Sequence, residues 1–102
     1  MTKSVAEIVT FSLAANIKSA EFVELSKGTE AFVRSLPGFQ HRQLSEGEDG
    51  RWTDYVVWAD METAKAAAAA FMTADCAASL MLAIDPNSVV MRHEAVLWNM
   101  AA

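Results

Sequence analysis

The segment from Pro37 to Ala59 constrains the fold most, because it carries the pattern of a β-hairpin. A strand pattern begins at Phe39, the turn sequence Glu46-Gly47-Glu48-Asp49-Gly50 follows, and a second strand pattern starts at Arg51. Helical patterns lie on both sides of the hairpin, and a further strand pattern lies outside each helix. This βαββαβ order predicts a four-stranded antiparallel sheet with helices on one face.

The flanking segments carry separate signals of strand and helix. Alternation of apolar and polar residues predicts strand 1 from Val5 to Leu13. An apolar stripe at three- and four-residue steps predicts helix 1 from near Ser19 to Leu36, with Gly28 weakening its middle by about 1 kcal/mol. Asp60 is a suitable N-cap for helix 2, and a short helix with Asp75 as its cap is predicted at Cys76–Ile84.

The chain is rich in apolar residues for its size. Its 102 residues contain no linker-like segment, which predicts one domain spanning residues 1–102. A domain this small hides only roughly 60 to 65% of its surface on folding, yet 53% of its residues are hydrophobic. Strand 4, at Val89–Trp98, is apolar on both sides and is expected to be buried on both. We therefore expect the sheet face without helices to pack against a second copy, which makes a homodimer.

Charge and cysteine content restrict the partners. The net charge is −5, and the eight Lys and Arg residues are spread thinly, so nucleic acid is not an expected partner. No charged segment followed by an apolar run opens the chain, so neither secretion nor a membrane span is expected. The single cysteine, Cys76, cannot close an intrachain disulfide. These features predict a cytoplasmic protein.

The hairpin also predicts a candidate catalytic patch. With a loop of two or four residues, His41 shares a face with Trp52, Asp54 and Trp58. An imidazole beside a carboxylate and aromatic walls suits proton abstraction from an acidic phenol or enol. A β-bulge near the turn would reverse the assignment for one strand. The alternative is an ordinary strand in which Trp58 is a core residue and His41 is solvated.

Tyr55, Arg42 and Arg92 are further candidates for binding. Tyr55 is expected either to donate a hydrogen bond into a pocket or to anchor the sheet edge. Arg42 and Arg92 are expected to hold an anionic group, to pair with a nearby Glu or to protect an edge strand from aggregation. In the ferredoxin-like strand order 4-1-3-2, His93 lies on the opposite edge of the sheet from His41, and the chain contains no zinc-binding spacing, so no metal is expected.

Three segments together carry a family resemblance: Leu36-Pro37-Gly38-Phe39, then Val56-Val57-Trp58 before Asp60-Met61-Glu62-Thr63-Ala64, and Phe71-Met72-Thr73-Ala74-Asp75. With them the chain resembles the dimeric α+β barrel superfamily, and within it the antibiotic-biosynthesis-monooxygenase-like domains. The resemblance extends from about residue 5 to residue 98.

The resemblance implies a homodimer with a small-molecule pocket between each sheet and its helices. Some members oxidise activated phenols with dioxygen and no cofactor, whereas others cleave haem. The positions of the Trp and His of haem-degrading members fall at Phe71 and Met81, which points away from haem cleavage. The phenol-oxidising members use Asn, Trp, Tyr and Arg around the pocket, and Trp58, Tyr55 and Arg42 are the candidates here.

These considerations predict a cofactor-independent monooxygenase of a small aromatic or enolic substrate. His41, oriented by Asp54, would remove a proton, Trp52 and Trp58 would stack on the substrate, and the carbanion would reduce dioxygen. No cofactor is expected. The alternative is a non-catalytic domain that binds a small apolar or aromatic ligand. A third hypothesis, an isomerase or decarboxylase, requires Arg42 or Arg92 to face the pocket.

Overall fold

The computed structural model describes residues 3–102 and contains a four-stranded antiparallel sheet with helices on one face. The sheet order β2-β3-β1-β4 confirms the predicted ferredoxin-like α+β fold. The strands are β1 (Val5–Phe11), β2 (Phe39–Glu46), β3 (Trp52–Trp58) and β4 (Val90–Ala95). The helices are α1 (Ser19–Lys27), α2 (Glu30–Ser35), α3 (Met61–Met72) and α4 (Ala78–Leu82).

The predicted cap of the second helical segment is confirmed. Asp60 accepts a hydrogen bond from the backbone N–H of Thr63 at 2.8 Å, and the Thr63 hydroxyl contacts the backbone N–H of Asp60 at 3.3 Å. This reciprocal capping box satisfies two helix-end donors. It sets the start of α3 directly after β3.

Helix 1 forms over the predicted residues but is divided at Gly28 and Thr29, where Gly28 was predicted to weaken it. Both the backbone N–H and the hydroxyl of Thr29 donate to the carbonyl of Ser26, at 3.0 and 2.7 Å. These local bonds replace the helical ladder next to a glycine of low helix propensity. The break gives two short helices, α1 and α2, and leaves Thr29 fully buried between them.

The entry to β2 needs glycine. Gly38 has φ +83°, and a Cβ atom there would lie 2.5 Å from Oγ1 of Thr63. Only a residue without a side chain fits this left-handed conformation against the start of α3. The Pro37-Gly38 link therefore sets the position from which β2 begins.

The hairpin turn reverses the predicted faces of β2. The N–H of Gly47 donates to the carbonyl of Arg51, the N–H of Gly50 donates to the carbonyl of Gly47, and Gly50 has φ +82°. This is the three-residue loop with a glycine bulge. It pairs Leu44 with Asp54. Because the loop holds an odd number of residues, side chains of even number on β2 share a face with those of even number on β3.

A second irregularity lies at the start of β2. Phe39 pairs with Trp58 and His41 pairs with Val57, so the register shifts between them. The shift lets Phe39 keep the same face as Arg42 and Leu44 despite its odd number. Its ring packs edge-on against Trp58, with centroids 5.8 Å apart.

The core lies between the sheet and the helices in two clusters. One is centred on Trp58, Val56 and the small residues Ala64 and Ala67 of α3, which let that helix approach the sheet closely. The other cluster joins one aromatic residue from each of β1, α1 and β3 to two aliphatic residues in and directly after α4. Its members are Phe11, Phe22, Trp52, Leu80 and Ala83.

Predictions for the C-terminal third need correction. The short helix begins as a 3₁₀ turn at Asp75–Ala77 and becomes α4 only at Ala78, and Asp75 does not act as its side-chain cap. Strand β4 is shorter than predicted. It is an edge strand paired only with β1 and is mostly exposed in the single chain, so its expected burial on both sides stays a prediction that depends on a second copy. Its apolar residues, with Leu97 and Trp98 beyond it, contribute exposed apolar surface.

The helices of residues 3–102 include none that is long and apolar enough by itself to cross a membrane. One bent pair, Met61–Met72 with Asp75–Leu82, passes such a test only when its two parts are taken together, and they are inclined at 76°.

Candidate active site

A cavity of about 370 Å³ lies between the sheet and the helix layer. Its floor is formed by side chains of β1, β2 and β3, and its roof by apolar side chains of the helices. The walls are mainly apolar, and three charged side chains interrupt them: Glu7, Arg42 and Asp54. A few polar groups in an apolar cavity are typical of a small-molecule site, where they orient the ligand.

Arg42 and Asp54 form a two-point ion pair on this floor. Nε and Nη2 of Arg42 donate to the two carboxylate oxygens of Asp54, at 3.1 and 2.9 Å. Nη1 of Arg42 donates to Oγ1 of Thr29 at 2.9 Å. The side chains are only 16% and 19% exposed, so this fork-to-fork pair is largely shielded from solvent. Arg42 also borders a second cavity, of about 320 Å³, bounded by α1, α2 and β2.

Glu7 and His93 form a second pair beside the first. Facing residues of β1 and β4 bring Nε2 of His93 within 3.1 Å of Oε2 of Glu7. The side chains are 11% exposed for Glu7 and 21% for His93. Burial raises the pKa of Glu7, the hydrogen bond and charge of His93 oppose that rise, Asp54 adds to it, and Arg42 reduces it.

Trp58 carries a buried hydrogen-bond donor that has no acceptor among residues 3–102. It lines the cavity and is 3% exposed. In the described part of the chain, its indole Nε1 is buried and has no acceptor. A buried donor without an acceptor costs about 1–3 kcal/mol.

The cavity reaches the surface beside β4 and the end of α3. Met72, Val89 and Met91 line it and are also exposed, Met72 by 67%. Flexible methionine side chains adapt to ligands of different shape. Phe71 and Met81, the positions that correspond to the Trp and His of haem-degrading domains, are two of its apolar walls.

The structure brings together three of the six predicted site residues. Arg42, Asp54 and Trp58 line the cavity, and their roles in binding or catalysis stay predictions. Trp52 lies elsewhere in the core, 3% exposed, with its ring 5.1 Å from that of Phe22. It does not line the cavity.

The predicted pair of His41 and Asp54 is not formed. The odd-numbered loop places His41 on the sheet face away from the helices, together with Tyr55, whereas Asp54 faces the helices. His41 is exposed, and its Nε2 lies 3.2 Å from the side-chain oxygen of Gln43. The geometry on which the His41 hypothesis rested is therefore wrong, and Asp54 has Arg42 as its partner instead.

The isomerase or decarboxylase hypothesis requires Arg42 or Arg92 to face the cavity, and the structure shows which of them does. Arg42 faces the cavity, whereas Arg92 lies on the other face and pairs with Glu94 at 2.9 Å. The structure shows no group of three or more His, Cys, Asp and Glu side chains in residues 3–102 that could hold a metal ion.

Sequence reasoning missed Glu7 and did not pair it with His93. The available signal was a charged residue in the middle of the otherwise apolar and hydroxyl-bearing strand sequence Val5–Phe11. A carboxylate is almost never buried without a partner. A buried Glu7 therefore predicts a polar or charged partner on a neighbouring strand, and in the structure that partner is His93.

No family model and no curated protein matches the sequence. Solved structures do match it in shape. One is a mutant of SnoaB from Streptomyces nogalater, a cofactor-independent oxygenase, with a TM-score of 0.76, 20% identity, and coverage of 99% of this chain and 100% of that one. Another is the ActVA-Orf6 monooxygenase of Streptomyces coelicolor in complex with nanaomycin D, with a TM-score of 0.74, 18% identity, and coverage of 98% and 93%.

The chain has the fold of the antibiotic-biosynthesis-monooxygenase-like domains. The resemblance found in the sequence is thereby confirmed at the level of fold. The cavity lies between sheet and helices, where the resemblance implied a pocket.

Proposed function

We propose that the protein is a cofactor-independent monooxygenase that oxidises a small aromatic or enolic substrate in the cavity between sheet and helices. The observation that carries this proposal is the composition of the cavity: apolar walls around a floor with charged groups. The likeness in shape to SnoaB, a cofactor-independent oxygenase, supports it.

The cavity suits a flat, mostly apolar substrate with one or two oxygens. Its volume of about 370 Å³ lies in the range of small-molecule sites, roughly 300–1,000 Å³. Phe71 and Trp58 offer aromatic walls. The cavity therefore fits an anthrone or hydroquinone type of ring system better than a sugar or a phosphate.

The proposed reaction needs a proton acceptor and dioxygen. Loss of a C–H proton next to the activated ring gives a carbanion, which transfers an electron to dioxygen. The resulting pair combines to a peroxide anion. After protonation, the peroxide loses water and leaves a carbonyl, so a CH₂ group and O₂ become C=O and H₂O. Apolar walls favour this sequence because they exclude water from the reactive intermediates.

Oxygen uptake with anthrone tests the proposal. We expect uptake above the uncatalysed rate, with anthraquinone as the product. Ala68→Phe, which fills the cavity from α3, should reduce the rate at least tenfold, whereas Ala69→Phe, at the neighbouring exposed position, should retain it. Absence of uptake by the wild-type protein across anthrone and hydroquinone compounds would contradict the proposal.

A non-catalytic ligand-binding domain is the second candidate. The observation that favours it is the mutual satisfaction of Arg42 and Asp54, which leaves neither group free to take part in chemistry without breaking the pair. Saturable quenching of tryptophan fluorescence by anthraquinone, with no oxygen uptake from anthrone, would support this candidate.

We also propose a cytoplasmic homodimer formed through the sheet face without helices. That face presents Tyr55 and Val57, and exposed Val90 at the edge strand extends it. Trp98 and Met100 lie exposed beyond the edge strand. Light scattering should give twice the chain mass of 11.1 kDa. A single-chain mass at micromolar protein would contradict the dimer.

A further inference from the structure

We propose that Glu7 accepts the proton that leaves the substrate and that His93 holds Glu7 in position for this step. The inference rests on the proposed function and assigns its proton acceptor. It concerns a pair that joins the first strand to the last, and Glu7 of this pair lines the floor of the cavity.

The hydrogen bonds of Glu7 leave one of its oxygens available. Oε2 contacts Nε2 of His93 at 3.1 Å. Among residues 3–102, none donates a hydrogen bond to Oε1. Glu7 itself lines the cavity. An oxygen that is unoccupied at a cavity wall is in reach of a bound ligand, which is the first requirement for a proton acceptor.

Asp54 cannot serve equally well. Both of its oxygens accept from the guanidinium of Arg42, which is further held by Thr29. A substrate could contact either oxygen as a proton donor only if the two-point pair with Arg42 were opened. Of the two carboxylates that line the cavity, Glu7 is the one with a free oxygen and a partner on one side only.

The charges around Glu7 fit this role. It faces His93 of β4, Asp54 of β3 and Arg42 of β2, and the helix residues that line the cavity are all apolar. Burial raises the pKa of Glu7, which makes it a better base than an exposed carboxylate. With two carboxylates and one guanidinium, the floor favours a neutral substrate that donates a proton over an anionic one.

The proton remains within the site during the reaction. Glu7 takes the C–H proton as the carbanion forms, and it returns a proton to the peroxide anion after dioxygen has added. It then removes the second C–H proton as the O–O bond breaks, and the departing hydroxide leaves as water with that proton. His93 donates to Oε2 throughout and leaves Oε1 to the substrate.

Glu7→Gln tests the acceptor, because it keeps shape and polarity but removes the base. We expect it to lower kcat for anthrone by about 100-fold or more, in the range of general-base catalysis, with KM changed less than threefold. Glu94→Gln, which changes an exposed carboxylate on β4, is the matched control and should retain the wild-type rate.

Exchange of the anthrone CH₂ protons in D₂O without oxygen separates this inference from the proposed function. The wild-type protein should accelerate exchange, and Glu7→Gln should not. If exchange requires Glu7 but no oxygen is consumed, the monooxygenase proposal fails and the proton acceptor stands. If Glu7→Gln retains turnover, or if the wild-type protein accelerates neither exchange nor oxygen uptake, the role of Glu7 is overturned.

Two variants of His93 test its positioning role. His93→Gln keeps an N–H donor and should retain most of the activity, whereas His93→Leu should not. Because His93 lowers the pKa of Glu7, its loss as a donor should move the acidic limb of the kcat profile to higher pH in His93→Leu, and less in His93→Gln. A merely structural role predicts equal losses in both variants and no movement of the limb, and that result would overturn the assignment.

Discussion

Two charged pairs contribute side chains to the cavity floor, and they differ in how fully their hydrogen bonds are used. In Arg42 and Asp54, both carboxylate oxygens and three guanidinium nitrogens are engaged, the last with Thr29. In Glu7 and His93, a single contact joins the pair, and burial raises the pKa of the carboxyl. The helix-facing side of the sheet thus holds one pair suited to stability next to one suited to the proposed proton transfer.

The largest expected effect on stability comes from breaking the pair of Arg42 and Asp54. Asp54→Ala leaves the guanidinium of Arg42 largely buried without its counter-ion, so we expect the free energy of unfolding to fall by about 3 kcal/mol in urea titrations. Glu30→Ala, which breaks the exposed pair with Arg34, is the control and should cost less than about 1 kcal/mol. Equal losses in the two variants would show that Arg42 and Asp54 do not stabilise the fold in this way.

A smaller effect is expected from the third partner of Arg42. Thr29→Val keeps the shape of a fully buried side chain but removes the acceptor for Nη1. We expect a loss of about 1–2 kcal/mol in the same titrations, the cost of a buried donor left unpaired. Thr73→Val, at an exposed hydroxyl bonded to the carbonyl of Ala70, should change stability by less than about 0.5 kcal/mol. Unchanged stability in Thr29→Val would show that the hydrogen bond from Arg42 to Thr29 does not contribute to the stability of the fold.

The smallest effect concerns Glu7, and it depends on pH. A carboxyl whose pKa is raised by folding binds protons more tightly in the folded than in the unfolded state. Its favourable contribution is complete below the ordinary pKa of 4.5 and is lost as the pH rises through the raised value. Glu7→Gln should thus match the wild-type protein at low pH.

Above that range, Glu7→Gln should become the more stable of the two, because burial disfavours the charged carboxylate but not the neutral amide. Urea unfolding of both proteins between about pH 4 and pH 7 measures the difference. A constant difference across this range would contradict the raised pKa of Glu7.

The sequence predicts the arrangement of elements well, because the signals that specify it are local. Asp60 with Thr63 three residues later marks a helix start, and Pro37-Gly38 marks the link into the hairpin. Such signals depend on a few adjacent residues, so tertiary structure does not change them. The helix break at Thr29 was harder to foresee, since it depends on hydrogen bonds that compete with a weak helix.

The site is less predictable, because it depends on registers that no local signal reports. Glu7 and His93 are 86 residues apart, and only the pairing of β1 with β4 brings them together. The faces of β2 depend on whether the turn holds an odd or an even number of residues. The sequence Asp49-Gly50 suits a two-residue turn, but Gly50 serves as the bulge of a three-residue loop.

The three-residue loop between β2 and β3 affects how insertions and deletions can alter the cavity. Because side chains alternate along a strand, adding or deleting one residue at the exposed turn would exchange the whole inward set of β2. His41 and Gln43 would then lie under the helices in place of Arg42 and Leu44. New chemistry in the cavity would arise in one discrete step, at a position remote from the ligand, without any substitution among the residues that line it.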